Sequence, residues 1–269
     1  MNLKFARILI LPLLLLQFSC EEVIEIDLED AESQLVIEAK LQEGSQDFTV
    51  LISRTSSYFD SALPETVETA AVSLQDDQGN SLSIPHAGNG VYSAAVTGVA
   101  GNFYTLRVTE GENTYEAVSY LPQAVNLLGL EPQFSEATPF TDEGYLLFMR
   151  FEDPAGTDNY YRVLHRVNGV LQNAADDLQV SNDDLFDGGS ARLPLFQKIF
   201  TSGDSVEVEL LHFDEASYDY FNSLTDIVSQ GGGPGGASAA PGNPTSNWTG
   251  GCLGYFSASS SSIQALRIP

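Results

Sequence analysis

The chain has 269 residues, with 37 acids against 11 bases and a formal net charge of −26. A surface so poor in Lys and Arg excludes nucleic acid, whose phosphates need clustered cations, and is repelled by anionic lipid headgroups. Aromatics at 10% and hydrophobics at 43% exclude a disordered acidic chain and suffice for a substantial core.

The N-terminus, MNLKFARILILPLLLLQF, sets Lys4 and Arg7 ahead of an apolar run from Ile8 to Leu16, with Ser19 just before Cys20. That is the pattern of a secretory signal peptide over residues 1–19. The run falls short of the roughly 20 apolar residues that span a bilayer, and Pro12 weakens it further. A cysteine after a small residue at such a point resembles a bacterial lipobox, in which Cys20 is diacylated and becomes the first mature residue. Gln17 stands where the usual Leu would be, and Leu16 lies one place further out. The alternative is an ordinary secretory signal with a coincidental cysteine. A lipidated Cys20 would anchor the chain at about 0.8 kcal/mol per buried methylene. It would also leave Cys252, set among glycines and aromatics at 250–256, as an unpaired thiol acting as a small hydrophobe.

Residues 20–33 form an acidic leader. Glu21 and Glu22 read as a tether, because dense like charge extends a chain. From Val23 onward the alternation with acids permits a short edge strand. Next come β-branched and aromatic segments at 34–41, 48–53, 71–74, 90–96 and 102–108, separated by turn chemistry at 76–80, 88–90 and 110–113. Short strands at this spacing predict an antiparallel β-sandwich over 34–122. It closes at 115–122, because Pro122 cannot donate to a ladder.

A second β-rich domain is expected over 123–269. Segments 125–130, 144–151, 159–167, 191–195 and 205–212 read as strands, and 152–158 (EDPAGTD) supplies a turn. Then the period changes: Tyr218, Phe221, Leu224 or Thr225, and Val228 follow helical spacing behind Asp214, a fair N-cap. One helix is therefore expected near 214–228. Residues 229–251, rich in Gly and Pro, read as a surface loop. A phosphate-cradling role fails on context, since no strand leads into the loop and no helix or Lys follows it. Long loops without regular structure often carry function. Trp248, the chain's single tryptophan, and Asn247 are accordingly candidate partner-binding residues, large aromatics being common interface anchors. The competing reading folds Trp248 back onto its own domain. Strands at 253–258 and 263–268 end the chain.

Chemistry is sparse. His86, His165 and His212 lack ligand spacing, and no nucleophile elbow, HExxH, CxxC or dinucleotide fingerprint appears. Carboxylates are too abundant for any pair to stand out. Asp176-Asp177 and residues 182–188 (NDDLFDG) come closest to a calcium loop, but they lack the oxygen spacing and closing Glu and read as polar turns. No catalytic residue, metal or cofactor is assigned, and the chain is read as a non-enzyme.

Several patterns in order resemble one family: LVIEA at 35–39, VSLQDDQG at 72–79, GVY at 90–92, GNFYTL at 101–106, YEAVSYLP at 115–122, FEDP at 151–154 with NYY at 159–161, YDYF at 218–221, and GNPTSN at 242–247 leading to LGYFSA at 253–258. The chain resembles the Bacteroidetota outer-membrane lipoproteins catalogued as domain of unknown function 4249. The resemblance implies an outer-membrane lipoprotein, often facing the cell exterior and encoded beside a TonB-dependent receptor, with no known activity to carry over. Glu21 and Glu22 after Cys20 resemble the surface-export signal of such lipoproteins. The first domain further resembles immunoglobulin-like sandwiches. The reading that follows is a non-enzymatic accessory or binding partner of a TonB-dependent transporter in nutrient uptake, with membrane attachment through the lipid and an unknown small-molecule or peptide ligand. The alternatives are an adhesion or structural surface lipoprotein, and an extracellular hydrolase.

Overall fold

The computed structural model describes residues 33–44, 46–56, 63–139, 141–195, 198–231 and 242–269. The signal pattern, Cys20, Glu21 and Glu22 lie outside them. Residues Ser33–Pro269 form one compact unit that is mainly β, with one α-helix among the described residues.

The first half is an immunoglobulin-like sandwich. One layer holds β1 (Leu35–Gln42), β2 (Phe48–Arg54) and β6 (Val91–Ala94), with the short β5 (His86–Gly88) at its edge. The facing layer has the order β4 (Ser81–Ile84), β3 (Ala71–Asp76), β7 (Phe103–Glu110), β8 (Asn113–Tyr120). Alternation dictates the burial: in β1 Leu35, Ile37, Ala39 and Leu41 point into the core, while Glu38, Lys40 and Gln42 face the other way. The Tyr104 hydroxyl, on β7, accepts a hydrogen bond from the Val99 N–H at 2.8 Å, the tyrosine-corner bond of immunoglobulin-like folds.

The second half pairs β9 (Leu127–Ser135), β10 (Gly144–Glu152) and β14 (Ser190–Pro194) in a three-stranded layer. Facing it are β11 (Tyr160–Val167), with β12 (Val170–Gln172) and β13 (Gln179–Asn182) along its free edge, and β15 (Ser205–Phe213). Leu147, Met149 and Phe151 from β10 meet Tyr161, Val163 and Val208 in its core.

The expected strands at 253–258 and 263–268 are one 15-residue strand, β16 (Leu253–Arg267). Its first half runs parallel to β1, from Leu253 opposite Val36 to Ser259 opposite Gln42. Its second half runs antiparallel to β15, from Ser259 opposite Phe213 to Arg267 opposite Ser205. One continuous sheet, in the order β12-β11-β15-β16-β1-β2-β6-β5, therefore runs through both halves. The segment expected to belong wholly to the second half also enters the first core, which takes in Trp248, Cys252, Phe256 and Ala258. Gly254 makes the parallel pairing possible. Its φ is +93°, and a Cβ built there would lie 2.2 Å from the Ile37 carbonyl oxygen.

The helix, α1 (Glu215–Gly231), begins where the sequence places its cap. Asp214 Oδ1 accepts the Ser217 N–H at 3.0 Å, satisfying one of the orphan donors of the first turn. Its Oδ2 accepts from the Ser119 hydroxyl at 2.8 Å and the Tyr120 N–H at 2.9 Å. Ser119 Oγ in turn accepts the Ala258 N–H at 2.8 Å, so one carboxylate ties α1 to β8 and, through Ser119, to β16. Among the described residues no helix is long and apolar enough to cross a membrane.

Candidate functional site

The continuous sheet packs one face on the two cores. Part of its other face, over β11, β15, β16 and β1, lies under α1 and the segment 171–178, and between them is a half-open cleft of about 540 Å³. That volume is in the range of small-molecule sites. Strand alternation selects the floor. Arg162 and Leu164 come from β11, Glu209 and Leu211 from β15, Tyr255 and Ser257 from β16, and Lys40 and Gln42 from β1. Helical spacing selects the roof, with Phe221, Leu224 and Val228 presented to the cleft by α1. Tyr220 and Phe221 pack on Tyr255 at ring-centroid distances of 4.5 and 4.9 Å, which fixes the helix on the sheet.

The cleft's charges divide into engaged acids and unengaged cations. Asp177 Oδ1 lies 2.6 Å from Lys198 Nζ, and its Oδ2 accepts the Ala174 N–H at 2.8 Å. Burial raises the Asp177 pKa, but the Lys198 and Ala174 hydrogen bonds, with the Lys198 and His165 charges, outweigh it and hold the carboxyl below its ordinary value. Glu209 accepts from Gln42 Nε2 at 2.9 Å and lies 3.9 Å from Arg166. These two carboxylates share the cleft, but a general acid for glycoside hydrolysis needs a raised pKa, opposite to the shift at Asp177. Arg162 forms no ion pair or side-chain hydrogen bond with any described residue. Its guanidinium carbon sits 3.9 Å from the centroid of the Phe221 ring, and its buried Nε has no partner. Lys40 stands at the exposed rim with its Nζ 6.0 Å from the Tyr255 centroid. Loss of hydration, then the Arg162 charge, lower its pKa against an opposing pull from Glu38.

A second cluster lies at the far end of β10. Oxygens of Asp153, Asp183 and Asp187 all fall within 4.8 Å of one another, the first two residues being buried. Asp153 accepts from the Tyr161 hydroxyl at 2.5 Å and the Gly188 N–H at 3.0 Å. Asp183 accepts from the Asn159 N–H and Nδ2 at 2.9 and 3.1 Å, and Asp187 from the Gly156 N–H at 2.9 Å. Three carboxylates could contribute oxygens to a hard divalent cation, but calcium takes roughly six to eight. The contacts made here instead stitch the 153–159 turn to the 182–188 turn.

The partner-binding candidates Trp248 and Asn247 are not among the residues that line the cleft. Trp248, expected as an exposed anchor, is only 7% exposed within the first core, and its Nε1–H donates to the Ile37 carbonyl at 3.1 Å. Asn247 is committed as well: its Nδ2 donates to Phe256 O at 2.7 Å and its Oδ1 accepts the Phe256 N–H at 3.0 Å. For Trp248 the competing reading, folding back onto its own domain, is the one the structure bears out, because β16 gives the indole an apolar slot; Asn247, half-buried, is committed to the backbone of β16. Cys252 is buried, and burial pushes its thiol up to about 12, as suits a small hydrophobe. Arg162, Lys40 and Tyr255 are not marked as site residues by the sequence, and Phe221 is marked only by its helical spacing. The signal for the first two was present: each is a cation on the polar phase of a strand in a chain with only 11 bases.

The family model described as domain of unknown function (DUF4249) matches residues 21–264. No curated protein matches the chain. Among solved structures, a segment of two fibronectin type III domains from chicken tenascin is similar at 14% identity, over 67% of this chain and 91% of that one, with a TM-score of 0.21. The chicken interferon gamma receptor alpha chain is similar at 10% identity, over 88% and 98%, with a TM-score of 0.22.

Proposed function

We propose, for a chain that belongs to the family described as domain of unknown function 4249, that it is a lipid-anchored outer-membrane protein facing the cell exterior. In this reading it binds a nutrient and works as a non-enzymatic accessory of a TonB-dependent transporter. The observation that carries binding is the half-open cleft under α1, floored by four strands and lined by the Phe221 and Tyr255 rings and by Arg162, whose guanidinium stacks on Phe221 with no acid partner among the described residues. Preformed concave sites with a few placed polar groups are the usual form of a ligand site. Anchoring rests on the N-terminal pattern of Lys4, Arg7, the run to Leu16 and Cys20, since a chain of net charge −26 gains nothing from an anionic bilayer surface.

Two measurements test the reading. Cys20→Ala is expected to move the protein from the membrane fraction to the soluble fraction, and a variant still wholly in membranes refutes the anchor. Mild pull-down of the native protein from detergent-solubilised outer membrane, read by mass spectrometry, is expected to retain a large β-barrel receptor. Retention of no such barrel overturns the transporter partnership and favours an adhesive or structural role.

A further inference from the structure

We propose that the cleft under α1 takes an amphipathic organic carboxylate, its head on Arg162 and Lys40 and its apolar body against the roof and floor. The inference rests on the binding reading above and names the ligand class.

The argument begins with what Arg162 lacks. A guanidinium carries five N–H donors and stays charged in proteins. In an acidic chain a half-buried one would be expected to hold a carboxylate. Arg162 instead stacks on Phe221, its Nε is buried without a partner, and no described acid lies in ion-pair range. A buried cation left unpaired is costly, and the cleft is the direction from which a partner can arrive. Lys40 stands on β1 at the rim of the same cleft, its Nζ 6.0 Å from the Tyr255 ring that packs on Phe221, and the Arg162 charge opposes its own. Two cations in one cleft repel each other, and an anion between them removes the repulsion.

The remaining lining limits the size of the head. Asp177 and Glu209 already have partners, which leaves Arg162 and Lys40 as the two cations of the lining without an ion-pair partner among the described residues. Two such cations suit a single carboxylate and disfavour polyphosphates, which need several donors and clustered cations. The body is limited by Leu164, Leu211, Leu224 and Val228, together with Phe221 and Tyr255. Burying an aliphatic chain there removes apolar surface from water at roughly 25 cal/mol per Å². Polar sugars would leave these side chains without complementary contacts.

Isothermal titration calorimetry on the mature chain from residue 20 onward carrying Cys20→Ala, which has neither the apolar run nor the lipid and so needs no detergent, tests the assignment with octanoate, octylammonium and octanol as probes. Octanoate is expected to bind one site, with the other two at least about tenfold weaker. Arg162→Gln is expected to weaken octanoate at least about tenfold, the scale of one charge-assisted contact. Should Arg162→Gln fail to fold, the rim variant Lys40→Gln carries the test, with a loss of about threefold or more expected. Octanol binding as tightly as octanoate, no octanoate binding at millimolar concentration, or unchanged affinity in the folded variants overturns the proposal. A chain that retains the receptor yet ignores octanoate refutes the ligand class alone. One that binds octanoate but retains no barrel refutes the transporter reading alone.

Discussion

Trp248→Ala separates a core tryptophan from an interface tryptophan by the size of its effect on stability. The indole is 7% exposed among Ile37, Phe256 and the facing sheet, and its N–H bonds the Ile37 carbonyl at 3.1 Å. Truncating a buried aromatic to Ala costs about 3–5 kcal/mol. For a chain of this size that lowers Tm by roughly 2–4 °C per kcal/mol, or about 6–20 °C in all. Trp248→Phe keeps most of the apolar volume and removes the hydrogen bond, so a loss of about 1–2 kcal/mol is expected. Urea unfolding followed by circular dichroism measures both variants without depending on the fluorophore that is deleted, and an unchanged m-value confirms that the native state alone was altered. In the wild type this single tryptophan should be shielded from acrylamide quenching. Trp248→Ala losing less than about 1 kcal/mol, with receptor retention abolished in the pull-down, would refute the core assignment and restore the indole to the surface.

Asp214→Ala removes a helix cap and strands the donors on Ser119 and Tyr120, so a loss of about 3 kcal/mol in urea unfolding is expected; a loss below 1 kcal/mol would show that α1 does not depend on this tie. Gly254→Ala drives a Cβ onto the Ile37 carbonyl at positive φ, whereas Gly251, at φ +80°, has nothing within 4 Å of a built Cβ. Gly251→Ala should therefore cost only about 1–2 kcal/mol and Gly254→Ala well over 3 kcal/mol, and equal Tm values for the two would contradict the close approach. Stability should fall as pH drops from 7.5 to 5.5. Burial lowers the pKa of His165 and His212 below the ordinary value of about 6.5, so the unfolded chain takes up protons first and stability is lost as pH falls through 6.5 toward the folded values. His165→Gln with His212→Gln should flatten that slope, and an unchanged slope would exclude these two groups as its source.

Most strands could be read from the sequence because the half-buried ones alternate. Leu35–Gln42 carries its core residues at every second position, as does the start of Ser205–Phe213 with Val206, Val208 and Leu210, and that signal is local. The helix and its Asp214 cap were readable for the same reason, since period and cap chemistry sit within a few residues of each other. The short strands β4, β5, β12 and β13 gave no such pattern, having three or four residues each. Ser257 to Ser262 look like a break, so the sequence predicts two strands where β16 is one. Yet Ser257, Ser259 and Ser260 are buried, and small side chains admit the close packing under β8 and β1. Trp248 stays open between a loop anchor and a core residue in the sequence because its glycine-rich surroundings suggest a surface loop, whereas the partner at Ile37, 211 residues away, pulls it inward. Fold class was legible from local pattern, whereas the cleft was not, because Lys40, Arg162, Phe221 and Tyr255 come from four elements far apart in sequence.

The parallel pairing of β1 with β16 makes the cleft depend on the first core. β1 gives Ile37, Ala39 and Leu41 to that core and Lys40 and Gln42 to the cleft. β16 gives Phe256 and Ala258 to the core and Tyr255 and Ser257 to the cleft. The register sets Glu38 opposite Tyr255 and Lys40 opposite Ser257. A slip of one residue in either strand would exchange its two faces, burying Lys40 among apolar side chains and removing the Tyr255 ring from under Phe221. Gly254 opposes such a slip. Only a residue without a Cβ fits against the Ile37 carbonyl, and the next positions on either side are Leu253 and Tyr255. The same steric fit that holds the two halves in one sheet therefore fixes where Lys40 stands relative to the Tyr255 ring on the cleft floor.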